Sequence, residues 1–293
     1  MIIILVGPTG SGKTSLAYKL SKELSNAPII NADAYQVYKE MNIGTAKCEV
    51  GSELYNLHHL MDIKSPEEEF SVMEYQKLFR EKIEELSKLH KNIIVCGGTG
   101  LYIRASIYDY KFEEEVKYDT SSLEELSNEE LWDMLIKLDE ESTKNLHKNN
   151  RKRVIRAIAI AQNSSITKSQ NIENQSHNMI YDKNQVKIFM IDKSREKLYE
   201  NINKRVYIMM EQGLLDEVKY LLNKYNLSRT AKAAIGYKEI ISYLDGEISL
   251  EESVELIKKR SRNYAKRQVT YFKHQLPCIN IENFEQLMEK LYE

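Results

Sequence analysis

The sequence contains little cysteine, no long apolar run and almost no net charge. Its three cysteines, Cys48, Cys96 and Cys278, are scattered over 293 residues and make neither a disulfide framework nor a metal-binding quartet. No apolar run approaches the roughly 18 residues of a membrane span, and the N-terminal run MIIILV is too short for the core of a secretory signal. A formal charge of −2 excludes a uniformly basic protein that coats nucleic acid. We therefore expect a cytoplasmic chain with no membrane partner, in which any basic patch is local.

Short apolar runs alternate with helical patterns along most of the chain. Strands are predicted for the four short apolar runs at 2–6, 28–30, 93–96 and 186–191. Helices are predicted where apolar residues recur with helical spacing, at 14–24, 72–90 and 195–212. Gly213 is expected to end the last of these, and the tail from 195 reads as helical. This alternation predicts an α/β fold with a parallel sheet.

The middle of the chain has a different composition. Residues 111–163 begin acidic, become helical and charged, and end basic. Residues 164–185 are rich in Ser, Asn and Gln without periodicity, which predicts a mobile loop or linker. We therefore expect a discontinuous core, 1–110 and 186–293, interrupted by a helical insertion domain at 111–185.

The strongest motif is GPTGSGKT at 7–14, placed between a predicted strand and a predicted helix. Such a loop surrounds a phosphate with backbone N–H groups and the positive end of a helix. Lys13 adds a point charge and Thr14 offers a hydroxyl to Mg²⁺. We expect every residue of the motif to bind a phosphate or diphosphate: Gly7, Pro8, Thr9, Gly10, Ser11, Gly12, Lys13 and Thr14.

Three further residues are candidates for chemistry at the same edge of the sheet. Asp33 follows the second predicted strand, where a carboxylate can take a proton or hold Mg²⁺ through water; the alternative is an N-cap of a following helix. Thr99, in the GGTG turn at 97–100, can donate to an anion, or the turn is simply tight. Arg205 lies beside the apolar face of its helix and either reaches inward or stays solvated.

Two basic stretches are candidates for RNA contact. Residues 258–274 hold seven Lys or Arg, three aromatics and no acid, and a second basic stretch spans 151–156. Basic residues mixed with aromatics suit an RNA backbone and unstacked bases, although a solvated charged face is the usual alternative. The candidate contacts are Arg151, Arg153, Arg156, Arg262, Lys266 and Arg267. The adjacent histidines His58 and His59 lack a supporting ligand cluster, so we expect at least one of them to pack or hydrogen-bond near the active site and not to bind zinc.

Together these motifs resemble the bacterial tRNA dimethylallyltransferase (isopentenyl transferase) family. The matching pieces occur in the family's order and span nearly the whole chain: GPTGSGKT (7–14), NADAYQVYKEMNIGTAK (31–47), HHLMD (58–62), FSV (70–72), GGTGLYI (97–103), RVIRAIAI (153–160), AIGYKEI (234–240) and YAKRQVTYF (264–272). The sequence departs from the family at Cys48, where a proline is usual, and lacks the usual D-P motif before Arg151. The resemblance implies a P-loop kinase-like core with a helical insertion that contacts tRNA.

The implied reaction transfers a dimethylallyl group from its diphosphate to the exocyclic amine of the tRNA adenosine next to the anticodon, releasing diphosphate. Asp33 would then act as general base, while Lys13, Thr99, Arg205 and Mg²⁺ on Thr14 would stabilise the leaving diphosphate. The resemblance places the substrate tRNA against Asp33, Ala34, Tyr35, Gln36 and Thr99, with Gln36 on the flipped base. The basic stretches would hold the anticodon stem-loop, and we expect a monomer. Two alternatives stay open: an ATP-dependent P-loop small-molecule kinase and a nucleotide-regulated RNA-binding protein.

Overall fold

The computed structural model describes residues 1–112, 119–164, 167 and 178–293. The chain divides into two compact units. The first combines Met1–Tyr108 with Met179–Glu293, and the second is Asp109–Asn178. Most of the loop expected at 164–185 lies outside the described residues.

A six-stranded parallel sheet forms the centre of the first unit. Its strands are β1 (Ile2–Val6), β2 (Ile29–Asn31), β3 (His58–His59), β4 (Ile93–Gly97), β5 (Val186–Ile191) and β6 (Ile279–Ile281). Their spatial order is β3-β2-β4-β1-β5-β6, with every neighbouring pair parallel. The predicted α/β class is therefore confirmed. The sequence predicted a helical tail from residue 195, and this prediction was wrong at Ile279–Ile281, where β6 pairs with β5 at the sheet edge.

Helices cover both faces of this sheet, so its strands are apolar on both sides. In the first half of the unit these are α1 (Lys13–Glu23), α2 (Glu53–Asn56), α3 (Val72–Ser87) and α4 (Gly100–Ile107). Along β1, Ile4 joins the core on one face with Phe79 of α3. Leu5 joins the core on the other face with Leu20 of α1. The alternation explains why the run at 2–6 is apolar at every position.

The second unit has a small core of its own. Its helices are α5 (Ser121–Glu124), α6 (Asn128–Thr143) and α7 (Arg151–Asn163). Leu131 and Leu135 of α6 pack with Val154 and Ile158 of α7. Ser127 begins α6 with a capping box that satisfies its first N–H groups.

The remaining helices return to the first unit and end the chain. They are α8 (Arg195–Glu211), α9 (Leu214–Lys224), α10 (Arg229–Lys232), α11 (Tyr237–Leu244), α12 (Leu250–Gln275) and α13 (Phe284–Tyr292). Gly213 separates α8 from α9 with a φ of 95°, a left-handed conformation that glycine adopts without strain. The predicted helix stop at Gly213 is confirmed. In the part of the chain that the structure describes, no helix has both the length and the apolar character needed to cross a membrane.

Candidate active site

The GPTGSGKT loop forms an anion cradle between β1 and α1. Gly10 and Gly12 have φ values of 81° and 87°, which let the loop turn its N–H groups inward. A Cβ on Gly7 would lie 2.7 Å from Ser11 Oγ, so a side chain there would have to displace the Ser11 hydroxyl. The cradle opens into a cavity of about 300 Å³, lined by Gly10, Gly12, Lys13, Thr14, Ser15, Asn201, Lys204, Arg205 and Ile208. Three cationic side chains and a helix N-terminus therefore surround one space suited to a phosphate.

The amine of Lys13 lies inside this cradle. Its Nζ is 3.4 Å from the carbonyl oxygen of Pro8. Burial lowers the pKa of Lys13, while the negative charge of Asp33 acts in the opposite direction. A phosphate bound beside this amine would favour its charged form, because an opposite charge compensates for lost hydration.

Arg205 of α8 reaches inward and contacts the cradle. Its Nη1 donates to Thr9 Oγ1 at 3.1 Å, and its Nη2 donates to the Thr45 carbonyl at 3.4 Å. One turn earlier, Asn201 Nδ2 donates to the Gly10 carbonyl at 2.9 Å. Burial lowers the pKa of Arg205, again opposed by Asp33. These contacts favour the inward alternative for Arg205 over the solvated one, a choice that the sequence left open.

Asp33 stands directly beyond β2. Its Oδ1 accepts the N–H groups of Tyr35 at 3.0 Å and Gln36 at 3.4 Å. The alternative that Asp33 is the N-cap of a following helix is wrong. Asp33 orders a turn, and the next helix among the described residues begins only at Glu53. The bonds to the turn use Oδ1 only, and a carboxylate has a second oxygen with which to accept a proton.

Thr99 lies in the turn that follows β4 and joins it to the Asp33 loop. Its N–H donates to the Ala32 carbonyl at 3.0 Å, and its Oγ1 accepts the N–H of Ala34 at 3.0 Å. A Cβ on Gly97 would lie 2.1 Å from the Ala32 carbonyl oxygen, so this approach requires glycine. The turn is therefore tight, as one alternative held, and it still leaves Thr99 a hydroxyl proton to donate.

Gln268 of α12 connects the two turns, and sequence reasoning missed it. Its Oε1 accepts the N–H of Thr9 at 2.9 Å, and its Nε2 donates to the Gly98 carbonyl at 2.9 Å. The side chain is buried. A signal existed in the sequence: Gln268 shares a helix face with Ala265 and Phe272, both buried, where a polar residue needs hydrogen-bond partners.

The other candidate contacts near this site differ in exposure. Gln36 Nε2 donates to the carbonyls of Thr45 and Ala46 at 3.0 and 3.4 Å. On α12, Lys266 and Arg267 are exposed, and the Arg267 guanidinium lies 5.7 Å from the Tyr264 ring centre. Arg262 is half-buried and donates to Asn203 Oδ1 at 2.6 Å.

Within the second unit, the arginines of α7 have different surroundings. Arg151 donates to the carbonyls of Leu123 and Glu124 at 3.2 and 2.7 Å and to Asn128 Oδ1 at 3.2 Å. These bonds tie α5 and α6 to the start of α7. Arg153 and Arg156 are exposed.

The residues of the cradle could hold a magnesium ion only with few protein ligands. Across 1–112, 119–164, 167 and 178–293, no three His, Cys, Asp or Glu side chains are grouped as a metal site. Mg²⁺ usually keeps several waters and binds through substrate phosphates and one or two protein oxygens. Thr14, which lines the cavity, carries a hydroxyl oxygen that could be one of these ligands. His58 instead hydrogen-bonds the Leu54 carbonyl at 2.7 Å, as expected of a hydrogen-bonding residue.

Comparison with known proteins identifies the family. A family model described as IPP transferase matches residues 36–275. A tRNA dimethylallyltransferase of Anoxybacillus flavithermus is 43% identical over 278 residues, covering 94% of this chain and 88% of the relative. The Bacillus subtilis tRNA dimethylallyltransferase is also 43% identical, with the same coverage.

Solved structures agree with these relatives. A tRNA isopentenylpyrophosphate transferase from Staphylococcus epidermidis is 38% identical, covers 99% of this chain and 97% of its own, and has a TM-score of 0.71. A eukaryotic dimethylallyltransferase acting on tRNA is 25% identical, covers 97% of this chain and 75% of its own, and has a TM-score of 0.78. On the extent of these matches, the chain belongs to the IPP transferase family.

Proposed function

We propose that this chain transfers a dimethylallyl group from dimethylallyl diphosphate to the exocyclic amine of a tRNA adenosine beside the anticodon, releasing diphosphate. Its relatives named tRNA dimethylallyltransferase support the reaction class. The observation that carries the proposal is the position of Asp33 directly beyond β2, where its negative charge acts on two of the three cations of the cradle, Lys13 and Arg205. In the proposed reaction an amine attacks a carbon atom as diphosphate leaves it. A base can take the proton of the amine while the neighbouring anion site binds the diphosphate.

The cradle stabilises the leaving group. As the allylic carbon–oxygen bond breaks, negative charge grows on the diphosphate, where Lys13, Arg205 and the N–H groups of the loop act. Thr99 adds a hydroxyl donor from the neighbouring turn. Mg²⁺, held by Thr14 and the diphosphate, would supply further Lewis-acid stabilisation. The donors are fixed by the fold before the charge develops, which is the condition for a large electrostatic effect.

Asp33 acts on the nucleophile. The adenine amine is weakly nucleophilic because its lone pair is delocalised into the ring, so removing its proton assists attack. A positioned general base of this kind contributes about 10²–10⁴-fold in rate. The adenosine must leave the loop stack to reach Asp33, at a cost of a few kcal/mol. Gln36, together with Ala34 and Tyr35 on the same loop, would hold the extruded base.

Basic side chains hold the RNA backbone. Lys266 and Arg267 offer exposed charge on α12, and Arg262 lies one turn earlier. In the second unit, Arg153 and Arg156 offer exposed charge, whereas the bonds of Arg151 support a role in joining its helices. Contacts of this type weaken as salt rises because bound counterions are released.

The test is mass spectrometry of tRNA incubated with the protein, Mg²⁺ and dimethylallyl diphosphate in the absence of ATP. We expect one added five-carbon unit on the tRNA, lost in Asp33→Ala while tRNA binding is retained. Asp182→Ala is the matched control, because Asp182 Oδ1 also accepts an N–H two residues ahead, from Asn184 at 2.9 Å. Normal turnover by Asp33→Ala would refute the general base. Phosphoryl transfer from ATP in place of prenylation would instead support the kinase alternative, which family membership does not favour.

A further inference from the structure

The turn at 42–46 sits between two residues of the proposed site. The Thr45 carbonyl accepts from Gln36 Nε2 at 3.0 Å and from Arg205 Nη2 at 3.4 Å. The Ala46 carbonyl accepts from Gln36 as well, at 3.4 Å. The acceptor side of this turn therefore sets where the Gln36 amide and the Arg205 guanidinium lie.

The donor side of the same turn is held by one carboxylate. Glu217 Oε2 accepts the N–H groups of Asn42 at 3.0 Å and Ile43 at 2.8 Å, and Oε1 accepts that of Gly44 at 3.2 Å. Glu217 lies in the first turn of α9, 173 residues away from Gly44 along the chain. Three successive N–H groups aimed at one carboxylate fix both the position and the orientation of the turn.

Tyr237 completes the arrangement. Its hydroxyl donates to Glu217 Oε1 at 2.6 Å, and its side chain is fully buried. Burial and the neighbouring carboxylate raise the pKa of Tyr237 well above its usual range, so the hydroxyl keeps its proton. A Cβ on Gly44 would lie 2.3 Å from the Tyr237 ring, so the turn packs directly against it. These contacts give a role to Gly44 of the GTAK motif and to Tyr237 of the GYKEI motif, which the proposed chemistry does not use.

We propose that Glu217 and Tyr237 are positioning residues, which act through the 42–46 turn to align Gln36 and Arg205. This inference rests on the proposed function, because it concerns residues assigned there to the base and to the leaving group. Neither Glu217 nor Tyr237 lines the cavity of the cradle. They hold the turn in place, so that the Thr45 carbonyl can position both Gln36, proposed to hold the base, and Arg205, proposed to stabilise the leaving group. A displacement of about 1 Å in such a frame costs about a hundredfold in rate.

A double-mutant cycle tests the activity side. Tyr237→Phe keeps the buried ring and removes one hydrogen bond to a charged acceptor, so we expect kcat/KM to fall about tenfold or more. Because part of this loss acts through Gln36, the fold-loss caused by Tyr237→Phe should be more than twofold smaller in a Gln36→Ala background. Losses equal within twofold in the two backgrounds would overturn the proposal, since a purely structural defect is independent of Gln36. Tyr220→Phe, on the exposed side of α9, is the matched control and should retain activity.

Hydrogen exchange tests the clamp without any assay of activity. Glu217→Gln places an amide opposite the N–H groups of 42–44 and removes an acceptor. We expect exchange at these three amides to accelerate about tenfold or more, while amides of β1 exchange as in the wild type. Unchanged exchange at 42–44 would overturn the positioning role. If the wild-type protein failed to prenylate tRNA, the proposed function would fall, and this exchange result would still decide whether Glu217 holds the turn.

Discussion

Replacing Gln268 by methionine should destabilise the first unit and separate the GPTGSGKT loop from the GGTG turn, which this side chain joins. The change keeps the side-chain volume but removes both 2.9 Å hydrogen bonds, one from Thr9 N–H and one to the Gly98 carbonyl. Each bond is worth about 1 kcal/mol net, and stranding the buried Gly98 carbonyl adds about 1–3 kcal/mol. We therefore expect a loss of roughly 3–5 kcal/mol in the free energy of unfolding.

Urea unfolding followed by circular dichroism measures this loss. The matched control is Gln275→Met on the same helix, because Gln275 is exposed and its bond to Arg104 lies at the surface. That control should change the unfolding free energy by no more than about 0.5 kcal/mol. If the two variants lose the same amount, Gln268 does not connect the turns in solution and the reasoning fails.

Gln268→Glu extends the same argument to pH. A carboxylate can still accept from Thr9, but it faces the Gly98 carbonyl oxygen and cannot donate to it. Burial then raises the pKa of the new carboxyl in the folded state above its unfolded value of about 4.3. The folded state binds the extra proton, so this variant should approach wild-type stability at low pH and lose it as pH rises through the raised pKa. A stability difference from wild type that is constant with pH would contradict this placement.

Three other substitutions test the charge of Lys13, the backbone contact of Gly97 and the burial of His58. Binding of inorganic diphosphate, measured by calorimetry, should weaken as pH rises through the lowered pKa of Lys13, because the phosphate needs the ammonium form. Lys13→Arg should remove this pH dependence. Identical pH profiles for the two proteins would contradict the role of Lys13. Gly97→Ala should cost about 3 kcal/mol or prevent folding, because its Cβ would meet backbone at 2.1 Å; a normal melting temperature would disprove the close approach. Burial lowers the pKa of His58 below its usual 6.5, so the unfolded chain takes up a proton that the folded chain does not. The free energy of unfolding should therefore fall as pH drops from 6.5 toward the lowered pKa of His58, and less steeply in His58→Gln. If urea unfolding gave the same pH slope for both proteins, the burial of this ring would be refuted.

Local patterns were enough to place the elements that build the cradle. The run at 2–6 is apolar at each position because β1 is buried on both faces, and the glycines of the following loop need left-handed backbone. The place of Arg205 beside the apolar face of α8 allowed an inward direction, but only its contact with Thr9 decided against the solvated alternative. By contrast, β6 was missed because Ile279–Ile281 is short and only Ile281 is fully buried, so it carries no apolar run.

Contacts between distant parts of the chain could not be predicted from the sequence. Gln268 meets Thr9 across 259 residues, and no local pattern states which backbone groups a buried amide will find. Asp33 shows the same limit at short range: its N-cap alternative assumed a helix, whereas the side chain orders a turn. Residue type and spacing therefore predicted which chemical groups lie at the sheet edge, whereas tertiary packing decided which hydrogen-bond partners those groups have.

The 26-residue helix α12 has consequences for how the enzyme can change over time. One side of it carries Lys266 and Arg267, and the other side supports the loop around Thr9 through Gln268. Both sides belong to one continuous helix, so, on the proposed function, a substitution that tilts or shifts this helix would disturb the binding of both substrates. Selection for a different set of tRNAs would then alter the handling of the prenyl donor as a by-product, which makes exposed single-residue changes the easier route to new specificity.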